Sequence, residues 1–233
     1  MLPVAILAGG LATRLRPLTE TIPKAMAPVC GEPFIVHQLR LLKARGFSQV
    51  ALCLGYKGEQ VEELIGDGAV FGLNVCYSYD YPRLLGTGGA LRQALPLLGD
   101  AFFVLYGDSY LDIAYGPVEE AFHASGLPAL MTVFRNEGRW DTSNVVFHAG
   151  QIEKYDKVDR VPEMAHIDYG LGVLSAAVLR SRPAEEPFDL ADVYRDLARE
   201  EQLAGYEVTE RFYEIGTPDS LREFETHLEN MNP

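Results

Sequence analysis

The apolar run Pro3 to Ala8 stops abruptly at Gly9-Gly10, and nothing else in the chain constrains its fold as much. The run does not alternate apolar with polar residues, which suits a strand covered on both faces, as in a parallel sheet flanked by helices. Two glycines after such a strand let backbone N–H groups approach an anion with no Cβ in the way. Open α/β sheets bind ligands at the carboxyl ends of their strands, so this turn is a candidate site.

The first half of the chain repeats the theme. Residues 34 to 45 place Ile35, Leu39, Leu42 and Arg45 at helical spacing, with Gly46 as C-cap. Val50 to Leu54 and Val75 to Tyr79 read as strands, with a helix over 58 to 65 between them. The segment LLGTGGALRQALPLLGD begins as a glycine turn and becomes a helix ending near Leu98. Ala101 to Tyr106 is the next strand, closed by Gly107-Asp108. Strand and helix in short-linked alternation predict a doubly wound sheet with right-handed crossovers. After about residue 125 the strand-like pieces Leu127 to Phe134, Ser143 to Phe147, Gln151 to Tyr155 and His166 to Leu174 predict an antiparallel or mixed extension. A helix over 189 to 200, strand-like segments over 208 to 215 and a helix from Ser220 to Leu228 complete the chain.

At 233 residues, 48% of them hydrophobic and without a Pro- or Ser-rich linker, the chain reads as one domain with a continuous core. Its net charge of −13 argues against a general nucleic-acid binder, which needs a basic face. Cys30, Cys53 and Cys76 are too few and too far apart for a disulfide framework, so reduced, mostly packed thiols are expected. The five histidines show no zinc spacing. The apolar start is too short for a signal or membrane span, so a cytosolic protein without a membrane partner is expected.

Residues 7 to 28, LAGGLATRLRPLTETIPKAMAP, add Thr13, Arg14, Arg16 and Lys24 to the glycine turn. Arg offers a fork matched to phosphate oxygens, and Lys a mobile point charge. There is no GK[ST], and the glycine spacing is not that of a dinucleotide fingerprint. By spacing alone, a phosphate loop and a structural turn both stand. Taken whole, the string resembles the opening signature of the sugar-1-phosphate nucleotidyltransferases, LAGG-x-G-T-R-L…T…PK. Gly9, Gly10, Thr13, Arg14, Leu15, Thr19, Pro23 and Lys24 match, and Ala12 stands where the family usually has Gly.

That resemblance implies a GT-A-like (Rossmann-like) αβα sandwich with a mostly parallel mixed central sheet. It implies one domain over 1–233: a nucleotide-binding part at 1–125, a sugar-binding part at 126–215 and a closing helix at 216–233. Leu7, Ala8, Gly9, Gly10, Thr13 and Arg14 are expected around the nucleotide phosphates, with Arg14 on the leaving pyrophosphate. Lys24 is expected to neutralise charge around the α-phosphate and the sugar phosphate.

Further motifs extend the resemblance. Thr87, Gly88 and Gly89 match a segment that lies against nucleobase and sugar, although a tight helix start explains them equally well. Asp108, in YGDSYLD, resembles the family's GD motif and is expected to ligate Mg²⁺, a cation that prefers hard oxygens shared with phosphate. Asp112 is read as structural or at the sugar rim. In FYEIGTPDSL, Glu214 stands where relatives carry Asp, with Gly216 and Thr217 retained, and is expected to be the second metal ligand. Asp219 is read as an N-terminal helix group.

IEKYDK aligns Asp156 and Lys157 with a Glu-Lys pair at the sugar phosphate, with Lys154 as an alternative registration and a plain charged hairpin as the bland reading. HIDYGLGVL aligns Gly170, and puts Asp168, which can accept but not donate hydrogen bonds when ionised, where Asn is usual. Trp140, in a segment that does not reproduce the family's sugar-lining motif, either lines the sugar or caps the core.

The activity implied is Mg²⁺-dependent transfer of a nucleoside monophosphate from an NTP to a sugar 1-phosphate, with Arg14, Lys24 and Asp108 as catalytic residues. The expected partners are those small molecules. Among compact members the chain is most similar in texture to the D-glycero-α-D-manno-heptose 1-phosphate guanylyltransferases. The N-acetylmuramate 1-phosphate uridylyltransferases, and thymidylyl or uridylyl transfer to glucose 1-phosphate, are alternatives. The departures at Ala12, Asp168 and Glu214 also leave open a non-catalytic sugar-nucleotide-binding subunit.

Overall fold

The computed structural model describes residues 1–10, 13–80, 82–136, 138–140, 142–183 and 186–231, with Thr13 by its backbone alone. The first half holds β1 (Val4–Leu7), β2 (Pro28–Val29), β3 (Glu32–Pro33), α1 (Phe34–Ala44), β4 (Gln49–Leu54), α2 (Gly58–Ile65) and β5 (Asn74–Tyr79). Then follow α3 (Gly86–Ala94), β6 (Ala101–Tyr106), β7 (Ser109–Tyr110) and α4 (Tyr115–Ser125). The second half holds β8 (Ala129–Arg135), β9 (Val145–His148), β10 (Gln151–Tyr155), β11 (His166–Ser175), α5 (Ala176–Arg180), α6 (Leu190–Arg199), β12 (Leu203–Val208), β13 (Tyr213–Glu214) and α7 (Pro218–Met231).

Nine strands form one sheet in the order β5-β4-β1-β6-β11-β8-β12-β10-β9. The first four are mutually parallel, as the strand–helix alternation predicts. The mostly parallel sheet expected for the whole chain is not what forms. Strand β11 enters antiparallel between β6 and β8, only β12 restores a parallel pair with β8, and β10 and β9 run antiparallel. A contact between His166 and Val145 joins β9 to β11, so that end of the sheet curls back on itself. Connection length accounts for the β9–β10 pair: a parallel pair needs a helical crossover, whereas the short turn at Ala149-Gly150 permits only an antiparallel hairpin.

Helices cover both faces. Leu39 and Leu42 of α1, Val61 of α2 and Val118 of α4 pack with Val4 and Ile6 of β1 on one side. Leu91 of α3, Leu179 of α5 and Val193 and Leu197 of α6 pack with Ala5 on the other. Strand β1 is therefore buried on both faces, which explains its unalternating apolar sequence. A third cluster docks α7: Phe224 sits edge-on against Phe34, 5.5 Å between ring centroids, beside Tyr110 and Ile215. Among the described residues no helix is long and apolar enough to cross a membrane.

Helices α4 and α5 are not foreseen from the sequence. Gly116-Pro117 in the first turn of α4 weakens its helical signal, yet Tyr115, Val118 and Phe122 are buried and hold it in place. Strand β12 begins at Leu203 rather than near Val208: the small Ala204 and Gly205 obscure its period, while pairing with β8 fixes its register.

Candidate active site

The carboxyl ends of β1 and β6 are pressed together. A Cβ on Gly107 would stand 2.7 Å from the Leu7 carbonyl oxygen and 2.9 Å from Ala8 Cα, so only glycine allows the approach. Gly107 N–H donates to Leu7 O at 2.9 Å, and Ile215 N–H donates to Asp108 O at 3.0 Å. Pairing of β13 with β7 sets Glu214 opposite Ser109, which brings the FYEIGT segment beside Asp108.

Lys24, in a single 3-10 turn after Pro23, reaches back to this point. Its Nζ lies 2.5 Å from Asp108 Oδ2. A methyl placed on Gly216 would be 3.3 Å from Glu214 Oε1 and 3.8 Å from Lys24 Nζ, so one ammonium and two carboxylates share a small volume.

Two cavities open on either side. The larger, about 450 Å³, is lined by Leu7, Ala8, Gly9, Gly10, Arg14, Lys24, Thr87 and Asp108. The smaller, about 290 Å³, is lined by Trp140, Asn144, Lys157, Asp168, Gly170 and Glu214. Tyr106 and Asp108 belong to both.

In the smaller cavity Lys157 Nζ hangs over the rings of Tyr106 and Tyr155, 5.8 and 6.0 Å from their centroids. Asp168 lies on a β11 irregularity opposite β8 that ends at Gly172. Gly170 there has φ +94°, a conformation open to glycine, and its N–H donates to Asp168 Oδ1 at 3.0 Å. Burial pushes the Asp168 carboxyl up from its ordinary value, while Lys157, the Gly170 N–H and the Tyr155 hydroxyl pull it down. Asp156 does not line this cavity. Its Oδ1 accepts the N–H groups of Val158 and Asp159, both at 2.9 Å, which hold its carboxyl below the usual range and shape the turn bearing Lys157. Lys154 instead pairs with Asp159 at 3.1 Å. Trp140 stacks on Arg211, 3.6 Å from ring centroid to guanidinium carbon, and Arg211 pairs with Glu223 at 2.7 Å.

A nucleotidyl transferase family model matches residues 4–231 of the chain. The chain belongs to the nucleotidyl transferase family. The N-acetylmuramate α-1-phosphate uridylyltransferase of Neisseria meningitidis serogroup B is 33% identical over 229 residues, covering 94% of each chain. The D-glycero-α-D-manno-heptose 1-phosphate guanylyltransferase of Campylobacter jejuni is 27% identical over 219 residues, covering 94% of this chain and 96% of its own. The solved structure of HddC from Yersinia pseudotuberculosis, complexed with GMP-PN, superposes with a TM-score of 0.81 at 22% identity, over 98% of this chain and 100% of its own, and so shares the fold. The protein is thus a nucleotidyltransferase that links an NTP to a sugar 1-phosphate, and the non-catalytic alternative gives way.

Several features of the nucleotidyltransferase were not read from its sequence. Gly86 and Ala90 line the larger cavity, whereas Gly88 and Gly89 are buried against Phe188 and Leu85. The N–H groups of Gly88 and Gly89 donate to Phe188 O at 3.0 and 3.2 Å, so the start of α3 is tied to the chain before α6. Thr87 Oγ1 accepts the Leu190 N–H at 2.8 Å. Cys53 lines the same cavity, its thiol pushed up to about 12 by burial and by the nearby Asp80. Asp80 lines it too: Oδ2 accepts the Leu85 N–H at 3.1 Å, and Oδ1 is buried without a partner among the described residues. Burial pushes the Asp80 carboxyl up. Asp80 follows β5 as Asp108 follows β6, so the strand-end rule that points to Asp108 could have found Asp80 as well.

Asp112 lines neither cavity and pairs with Arg45 at the end of α1. Asp219 lies in the first turn of α7 and pairs with Arg222. Ala12 and the side chain of Thr13 lie outside the described residues. Among the described residues no group of three or more His, Cys, Asp or Glu is placed to hold a metal ion. A two-carboxylate set still suits Mg²⁺, which is commonly held by one or two carboxylates while phosphates and waters supply the other oxygens.

Proposed function

We propose that the enzyme transfers GMP from GTP to D-glycero-α-D-manno-heptose 1-phosphate, releasing pyrophosphate, and that residues 1–233 act as one domain. The observation that carries the two-substrate arrangement is the meeting of both cavities at Asp108, with Lys24 beside it. The larger cavity would take the triphosphate along Gly9, Gly10 and Arg14. The smaller would take the sugar phosphate, with Lys157 on the phosphate and Asp168 accepting from sugar hydroxyls.

A phosphate oxygen of the sugar 1-phosphate attacks the α-phosphorus, and pyrophosphate leaves in line. The nucleophile is already anionic near neutral pH, so positioning and charge neutralisation carry the reaction. Lys24 neutralises the transferred phosphoryl group, and Arg14 holds the departing pyrophosphate. Asp108 and Glu214 would hold Mg²⁺, which when bound supplies positive charge at the α-phosphate.

Asp80 supports guanine. Ionised, it is an acceptor only. Guanine offers the N1–H and N2–H donors side by side, while uracil offers N3–H alone, so turning the Asp80 carboxylate toward the cavity would satisfy both of its oxygens with guanine. The sugar reading rests on Asp168 and on the heptose-specific relative. A buried carboxylate favours hydroxyls and disfavours the lactyl carboxylate of N-acetylmuramate. The rival, UTP with N-acetylmuramate 1-phosphate, is favoured by the 33% identity to the Neisseria enzyme.

Magnesium-dependent pyrophosphate release, with GTP and UTP crossed against both sugar 1-phosphates and the products weighed by mass spectrometry, tests the proposal. GDP-heptose is the expected product. UDP-N-acetylmuramate as the dominant product overturns both the base and the sugar.

A further inference from the structure

Gln38 is a buried polar side chain that reaches the turn carrying Asp108. It lies on α1 among Phe34, Ile35, Leu39 and Leu42, and is 1% exposed. Its Nε2 donates to Tyr106 O at 3.1 Å and to Ser109 O at 2.8 Å. Those carbonyls close β6 and open β7, on either side of Gly107-Asp108. The amide of one helix residue therefore spans the turn that carries Asp108.

Its other end is unpaired: Oε1 is buried without a partner among the described residues. A buried acceptor left unsatisfied is destabilising; Leu or Met at this position would avoid that cost but would leave the Tyr106 and Ser109 carbonyls without this donor. The amide is accounted for by what its two N–H groups hold. Two other backbone ties on the turn, from Gly107 N–H to Leu7 O and from Ile215 N–H to Asp108 O, fix it from β1 and from the segment bearing Glu214. Gln38 is the tie from the helical layer.

We infer that Gln38 is a positioning residue for Asp108, setting the place of its carboxylate against Lys24 and Glu214 by clamping the backbone on both sides. The inference rests on the reading of Asp108 as a metal ligand. Groups that orient a ligating carboxylate are worth about 10- to 100-fold in metal affinity or activity when removed.

The test uses the full-length enzyme with Mn²⁺ and GTP, no sugar phosphate, and electron paramagnetic resonance to measure bound Mn²⁺. Thermal melting is followed in parallel. Gln38→Met keeps the side-chain length and removes both donors. It is expected to fold, to bind Mn²⁺ about 10-fold more weakly and to lose turnover by a similar factor. Asp108→Asn is expected to lose Mn²⁺ binding at the site. If Gln38→Met does not fold, Gln38→Asn, which keeps the amide but shortens its reach by one methylene so that it cannot span both carbonyls, replaces it.

A lowered melting temperature with unchanged Mn²⁺ affinity, beside an Asp108→Asn variant that has lost it, makes Gln38 a structural residue and overturns the inference alone. Undiminished Mn²⁺ affinity in Asp108→Asn overturns the metal-ligand reading, and the inference falls with it.

Discussion

Lys24 Nζ lies 2.5 Å from Asp108 Oδ2 across 84 residues of sequence, at the point where the two cavities meet. The pair joins the glycine-rich first loop to the end of β6. It places a cation beside the carboxylate at which transfer is proposed to occur. Both side chains are partly exposed, at 16% and 30%, so either can turn toward a substrate without opening the core.

Lys24→Ala and Asp108→Asn should each reduce steady-state pyrophosphate release by about 10²- to 10³-fold, the range for removing one preorganised charge-stabilising group. Melting temperatures should move by only a few degrees. A near-normal rate in either variant would remove that residue from the mechanism.

Glu214→Asp installs the residue of the motif that this segment resembles, yet it should not improve the enzyme. The β13–β7 pairing fixes the backbone of Glu214 opposite Ser109, so a carboxylate one methylene shorter is drawn back from Asp108. The Mg²⁺ concentration for half-maximal activity should rise about 10-fold. A lower requirement would show that the backbone, rather than the side chain, adapts.

Asp80→Asn should change base choice. Losing charge-assisted acceptance from guanine costs about 1.5–3 kcal/mol, so kcat/KM for GTP should fall about 10- to 150-fold while that for UTP changes little. Equal losses for both nucleotides would reduce Asp80 to the anchor of the Leu85 N–H.

Asp168→Asn should stabilise the protein at neutral pH. The unfolded carboxyl titrates near 3.8, and burial raises the folded value above it. Folding therefore favours the protonated form. Its stabilising contribution is complete below about 3.8 and is lost as pH rises through the folded value. The melting-temperature gain of the variant should be greatest at pH 7 to 8 and should shrink toward pH 4. A gain independent of pH would assign the effect to packing.

Gly107→Ala should destabilise by about 1–3 kcal/mol, the usual cost of forcing an extra group into a packed site. The obstructing atoms are the Leu7 carbonyl oxygen and the Ala8 backbone, which cannot swing aside as a side chain could. Urea denaturation reads the loss directly, and an unchanged midpoint would show that β1 and β6 separate at little cost.

Local chemistry made part of this protein legible in its sequence. An unalternating apolar strand ending in two glycines, with strands alternating with helices, determined the parallel half of the sheet. The resemblance of its motifs to a known family added Gly9, Gly10, Arg14, Lys24 and Asp108 as expected neighbours of one site. Tertiary structure decided what depends on partners distant in the chain. It inserted β11 antiparallel and curled the far end of the sheet through His166 and Val145. It separated Lys157, which faces the cavity with Asp168, from Lys154, which pairs with Asp159. It turned Gly88 and Gly89 onto Phe188 and Leu85, set Asp80 in the larger cavity and stretched Gln38 across the Asp108 turn. A sequence period records which face of an element is apolar, but a hydrogen bond across two layers leaves no period, so only the folded chain reveals it.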